Sequence, residues 1–167
     1  MKKYSLLIVD DDKNLLYAMK RTLKRDGYNL FFATSAQKAL NKLAVTSIDL
    51  VISDYQMPGM DGVTFLQQVR GAYPQMLTIM MTGIEDINIA AQAINQAGVY
   101  KFIVKPWESE DLRITVRRAL ENLEVVQERD FLLQKVKERE AAIKKLEAEF
   151  PGISKIVRDE EGNIVSQ

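Results

Sequence analysis

The sequence predicts an α/β protein: a doubly wound, five-stranded parallel sheet followed by an extended C-terminal helix. Two observations carry this. Short apolar runs alternate five times with stretches of helical hydrophobic spacing, joined by short links. That pattern argues for right-handed crossovers with helices on both faces of one sheet. The runs are also apolar throughout rather than at every second position, Leu50-Val51-Ile52 being the clearest case. Strands covered on both faces read this way.

Leu6-Leu7-Ile8-Val9 is the first strand and ends in Asp10-Asp11-Asp12. Leu15, Leu16, Met19 and Leu23 then repeat at helical spacing, with Lys20, Arg21 and Lys24 largely off the stripe. Asp12 is expected to cap this helix and Gly27 to stop it. Leu30-Phe31-Phe32-Ala33 is a short second strand, and Ser35 caps a helix carrying Ala36, Ala39, Leu40 and Leu43. The third strand, Leu50-Val51-Ile52-Ser53-Asp54, breaks off at a carboxylate, and Tyr55 to Gly62 reads as a loop. Val63, Phe65, Leu66 and Val69 mark a third helix ending at Gly71. Leu77 to Met81 is the fourth strand and ends in Thr82-Gly83. Ile87, Ala90, Ala91 and Ile94 predict the inward face of a fourth helix, from about Asp86 to Ala97 and closed by Gly98. Phe102-Ile103-Val104 is the fifth strand, ending in Lys105-Pro106.

A fifth helix is expected to begin at Ser109, with Ser109 as its N-cap and Glu110 and Asp111 in the first turn, where the helix dipole favours anions. No Pro or Gly occurs from Trp107 to Phe150, so the helix has room to run unbroken for roughly 60 Å. Leu112, Val116, Ala119, Leu120 and Leu123 give its first part a face for the sheet. Beyond them the spacing becomes a heptad. Val125, Leu132, Val136, Ile143, Leu146 and Phe150 form the seam, interrupted by Arg129 and Arg139. This is an imperfect coiled coil. It predicts a homodimer, in which a parallel pairing sets Lys135 against Glu140; the other reading packs the stripe on its own or a further domain. Pro151-Gly152 ends the helix, and Ile153 to Val165 resembles two short strands around Glu161-Gly162-Asn163.

Composition narrows the chemistry. The 167 residues hold 47% hydrophobic and 28% charged residues, as soluble globular proteins do. Lys plus Arg and Asp plus Glu are 23 each, so net charge supports neither direct nucleic-acid binding nor membrane attraction. There is no Cys and no His, which removes disulfides, thiol nucleophiles, Ser-His-Asp triads and zinc sites built on Cys or His. Any metal must be a hard cation on oxygen ligands. The basic start Met1-Lys2-Lys3 is followed by too short an apolar run to be a signal peptide, and no stretch is long enough to span a bilayer. A cytoplasmic address is the default expectation.

In a doubly wound sheet, chemistry gathers outside the carboxyl ends of the strands. Here those ends carry Asp10 and Asp11, Asp54, Thr82 and Lys105. Taken singly, each has an ordinary explanation: a cap, a strand residue, a loop lysine. Together they suit phosphoryl transfer. Crowded carboxylates repel one another unless a cation sits among them, and Mg2+ meets that need. Asp54 would be the nucleophile and form an acyl phosphate, Lys105 would neutralise the phosphoryl oxygens, and Thr82 would donate a hydrogen bond.

The set Val9-Asp10-Asp11, Ser53-Asp54-Tyr55-Gln56-Met57-Pro58, Met81-Thr82-Gly83 and Val104-Lys105-Pro106-Trp107 resembles the receiver domain of two-component response regulators, over residues 4 to 122. The resemblance implies a flavodoxin-like fold with strand order 2-1-3-4-5. It makes Asp54 the phosphoacceptor for a sensor histidine kinase or phosphotransfer protein. Mg2+ would be held by Asp11 directly, by Asp10 through water, by Asp54, and by the carbonyl of Gln56. Lys105 and Thr82 would contact the phosphoryl group, and Phe102 would take the position of the switch aromatic. Signalling would pass through the face made by the fourth helix, fifth strand and fifth helix. The expected division is 1–122 receiver, 123–150 coiled-coil extension, and 151–167 a tail or the start of an output domain beyond Gln167.

Two other readings compete. A phosphatase of the haloacid dehalogenase type also combines Asp, Mg2+, Thr and Lys, but its nucleophile lies on the first strand, where Asp10-Asp11-Asp12 is here followed by Lys13. A scaffold would use the coiled coil alone and never take up phosphate.

Overall fold

The computed structural model describes residues 3–86, 88, 91, 95–153, 157–158 and 164–165. Its strands are β1 (Ser5–Val9), β2 (Asn29–Ala33), β3 (Leu50–Asp54), β4 (Leu77–Gly83) and β5 (Lys101–Lys105). They form one parallel sheet in the order β2-β1-β3-β4-β5. The expected fold and strand order are therefore observed. Helices α1 (Lys13–Leu23), α2 (Ala36–Leu43) and α3 (Gly62–Ala72) connect the strands, as does α4, described at residues 88, 91 and 95–97; α5 (Ser109–Glu149) follows β5.

The all-apolar strands explain the layering, because successive side chains point to opposite faces. Leu6, Ile8, Leu50, Ile52, Ile79, Met81 and Ile103 pack with Leu16, Met19 and Leu23 of α1 and with Leu112, Val116, Ala119 and Leu120 of α5. Their neighbours Leu7, Val9, Val51 and Met80 pack on the other face with Ala36, Ala39 and Leu43 of α2 and Phe65, Leu66 and Val69 of α3. β3 is buried along its whole length.

The caps follow the sequence at most positions. Asp12 accepts from the Asn14 N–H at 2.8 Å, and Ser35 from the Lys38 N–H at 3.2 Å. A 3-10 turn, Lys24–Asp26, follows α1 before Gly27 reverses the chain at φ 76°. Three expectations need correction. Ser109 lies inside the first turn of α5: the Leu112 N–H bonds the Glu108 carbonyl, so Glu108 holds the capping position, while Ser109 Oγ sits 3.3 Å from Thr22 Oγ1 of α1. Gly71 does not end α3, which continues to Ala72 because the Tyr73 N–H still reaches Val69. Ala91 is exposed rather than inward, whereas Ala97 is buried; Ile87, Ala90 and Ile94 lie outside the described residues.

The chain divides into two compact units, Met1–Leu123 and Glu124–Gln167. In the first, the root of α5 is tied to the 3-10 turn after α1 by Arg113, whose guanidinium meets Asp26 at 2.7 Å and Glu110 at 3.0 Å. In the second, Val125, Leu132, Val136, Ile143, Leu146 and Phe150 are all exposed along the helix. Helix α5 ends before Pro151, and the short strands β6 (Val157–Arg158) and β7 (Ile164–Val165) pair antiparallel, as expected; residues 161–163 between them lie outside the described residues. Among the described residues no helix is long and apolar enough to cross a membrane.

Candidate functional site

Sheet register builds the site. Asp54 ends β3 beside Met81 of β4, and Lys105 ends β5 beside Gly83. Asp10 follows β1, its N–H bonded to the Ala33 carbonyl of β2 at 3.2 Å. The carboxyl ends of four strands thus open on one edge.

At that edge the Lys105 ammonium lies 2.7 Å from Asp54 Oδ1 and 3.2 Å from Asp10 Oδ2. The other oxygen of Asp10 accepts from the Asp12 N–H at 2.8 Å, which fixes the carboxylate in place. Asp10 and Asp54 are buried and Asp11 is exposed, yet the three offer oxygens lying within 4.8 Å of one another. Burial pushes the carboxyl groups of both Asp10 and Asp54 above their ordinary range, despite Lys105 beside them. Burial by itself would lower the Lys105 ammonium, but Asp54 and Asp10 outweigh it and hold it raised. Two of the three carboxylates, Asp10 and Asp54, share the Lys105 ammonium. The oxygen donors of all three fit a hard divalent cation, and their crowding is the charge imbalance that such a cation relieves.

A cleft of about 400 Å³ opens over Asp54, walled by Tyr55, Gln56, Gly83 to Asp86, and Lys105. Thr82 is fully buried, and its Oγ1 is engaged with the Gly83 carbonyl at 3.3 Å. Phe102 pairs with Met80 across the β4–β5 ladder and is half-buried against the α2–α3 side of the sheet. Asp10, Asp11, Asp54 and Lys105 thus converge directly, Gln56 lines the same cleft, and Thr82 and Phe102 stand on the adjoining strands.

Residues 6–117 match the response regulator receiver domain family. The chain belongs to that family. The C4-dicarboxylate transport transcriptional regulatory protein DctD of Rhizobium meliloti (strain 1021) is 40% identical over 124 residues, which are 74% of this chain and 27% of that protein. The DNA-binding transcriptional regulator NtrC of Klebsiella pneumoniae is 31% identical over 121 residues, 72% of this chain and 26% of NtrC. Among solved structures, the signal receiver domain of an HD domain-containing protein from Pseudomonas fluorescens Pf-5 superposes with a TM-score of 0.71 at 35% identity, covering 74% of this chain and 99% of that one. The chain spans about a quarter of the length of the curated relatives it matches.

Receivers of this family are signalling domains, phosphorylated by histidine kinases, rather than classical enzymes. Family membership decides against the phosphatase alternative.

Two features of the receiver's site escaped sequence reasoning. The Gln56 side-chain amide donates to Asp86 Oδ2 at 3.0 Å, joining the loop after β3 to the turn after β4. Gly62, the first residue of α3, donates its N–H to the Tyr55 carbonyl at 2.8 Å and presses its α-carbon against the Asp54 peptide. The Asp61-Gly62 pair signals a helix start in the sequence, but not what that helix start touches.

Proposed function

We propose that this receiver takes a phosphoryl group on Asp54 from a sensor histidine kinase or phosphotransfer protein and passes the change along α5 to an output. The observation that carries the reading is the ion pair of Lys105 with Asp54 inside an acidic cluster. A Mg2+ ion fits Asp10, Asp11, Asp54 and the Gln56 carbonyl, and when bound would screen the carboxylates and the entering phosphoryl oxygens.

An Asp54 carboxylate oxygen attacks phosphorus while the bond from phosphorus to the donor's imidazole nitrogen breaks, and the electron pair stays with that nitrogen. These 167 residues hold no His, so the donor imidazole lies outside them. Lys105 trades its contact with Asp54 for one with a phosphoryl oxygen. Thr82 then turns from the Gly83 carbonyl toward the new acceptor oxygens. Phe102 follows on the adjacent strand, and the face of α4, β5 and α5 changes with it. In this reading residues 1–122 are the receiver, 123–150 a coiled-coil extension, and 151–167 the approach to an output domain. The setting is the cytoplasm.

With acetyl phosphate as donor, phosphoryl incorporation is expected to need Mg2+ and to fall about 100-fold in Lys105→Ala, the loss typical of removing one charge-stabilising donor. Equal incorporation with and without a chelator would contradict the cation's part.

The exposed seam of α5 supports a homodimer, because an apolar stripe at heptad spacing gains from burial against its copy. Light scattering is expected to give a dimer for the whole chain and a monomer for a version ending at Asn122. Two monomers would contradict it.

A further inference from the structure

The bond between Gln56 and Asp86 plays no part in the transfer step. Gln56 Nε2 donates to Asp86 Oδ2 at 3.0 Å over a sequence separation of 30 residues. Asp86 closes the 3-10 turn Ile84–Asp86 that follows β4, and its Oδ2 lies near Gly83, 4.0 Å from where a β-carbon on that residue would stand. Both residues line the acceptor cleft. The loop they join leaves β3 with Tyr55 fixed at both ends of its peptide unit: its N–H bonds the Met81 carbonyl and its carbonyl accepts from the Gly62 N–H, each at 2.8 Å. The next residue, Gln56, is held through its side chain.

We propose that Asp86 is a positioning residue for the cation site. By holding the Gln56 amide it fixes the orientation of the Gln56 main chain, whose carbonyl is the one neutral oxygen that the protein itself contributes to the proposed ligand set. The inference rests on the Mg2+ reading above and deepens it. Groups that orient a metal's direct ligands change affinity by roughly 10–100-fold. This bond is exposed to solvent, so the low end applies. Asp86 also brings a charge, with Glu85 beside it on the same wall of the cleft. Charge and bond make different predictions, which separates them.

The test is Mg2+ titration of the full chain, followed by the fluorescence of its single Trp, Trp107, which lines a cleft together with Lys105. Asp86→Ala is expected to weaken Mg2+ binding about 10-fold, and Gln56→Ala by as much, with the double variant no worse than either alone. Asp86→Asn keeps an acceptor oxygen while losing the charge, and is expected to stay within about 2-fold of wild type. In metal-free protein, hydrogen exchange at the amides of 56 and 57 rises in Asp86→Ala and not in Asp86→Asn. Unchanged affinity in Asp86→Ala overturns the proposal, and so does an Asp86→Asn variant as weak as Asp86→Ala, which would make the effect one of charge. A wild-type chain that takes up no Mg2+ overturns the cation reading itself and this inference with it.

Discussion

Replacing Gly62 by alanine is expected to cost the receiver about 3 kcal/mol, at the upper end of ordinary overpacking penalties, and to lower its melting temperature by roughly 10 °C. The reason is local. A β-carbon on Gly62 would collide with the Asp54 carbonyl oxygen and stand 2.9 Å from the Tyr55 α-carbon and 3.0 Å from the Asp54 carbonyl carbon. All three neighbours are backbone, so no rotamer relieves the contact. The strand end itself would have to move, and with it the proposed acceptor. Gly71, nine positions along the same helix, makes the contrast. Nothing lies within 4 Å of a β-carbon there, and the residue is exposed and helical. Gly71→Ala is therefore expected to stabilise by about 0.5–1 kcal/mol. Thermal unfolding of the two variants is expected to give opposite signs. A tolerated Gly62→Ala would contradict the close packing of α3 on β3.

The second large effect is the response of stability to Mg2+ and pH. Asp10 and Asp54 have carboxyl groups raised above 3.8, chiefly by burial. Between that value and the raised one, the native state binds more protons than the unfolded state. Stability of the metal-free protein therefore contains a contribution that falls as pH rises through this window. Lys105 adds a second loss of the same sign at the other extreme. Its ammonium is raised above 10.5 by Asp54 and Asp10 against the effect of burial, so its stabilisation is complete below 10.5 and is lost as pH climbs through the higher native value. The metal-free receiver thus holds two buried carboxyl groups whose ionisation carries a cost. Mg2+ is expected to offset that cost, adding about 2.7 kcal/mol at a hundredfold excess over its dissociation constant. The increment shrinks as acid protonates the same carboxylates. Asp54→Asn is expected to be more stable than wild type without metal and to gain little from it. Melting curves with Mg2+ and with chelator, taken from acid to neutral pH, check all of this; an increment that grows toward acid would contradict the site's makeup.

Much of this was legible in the sequence, for a reason the sheet makes plain. β1, β3 and β4 are buried on both faces, so their residues read as unbroken apolar runs, and the abrupt change to Asp10, Asp54 and Thr82 marks where each strand leaves the core. Parallel pairing then brings those ends to one edge without further information. The exposed apolar stripe of α5 was legible for the same kind of reason, since heptad spacing is a property of one helix. Contacts set by loop geometry were not. Gln56 and Asp86 meet because two loops leave neighbouring strands at particular angles, and neither residue type announces a partner 30 positions away. The inward face assigned to the fourth helix failed at Ala91, because alanine suits a helix surface as readily as a core. Ser109 gave a cap signal, but the first turn starts one residue earlier, on Glu108, and leaves the serine hydroxyl to Thr22 of α1.

The central claim is that Asp54 is the phosphoacceptor. Incubation of the whole chain with Mg2+ and acetyl phosphate, followed by mass spectrometric mapping of the hydroxylamine-sensitive adduct, tests it most directly. The expected result is one phosphoryl group on Asp54, absent from Asp54→Ala. An adduct on Asp10, or none on a folded, Mg2+-loaded chain, would contradict it.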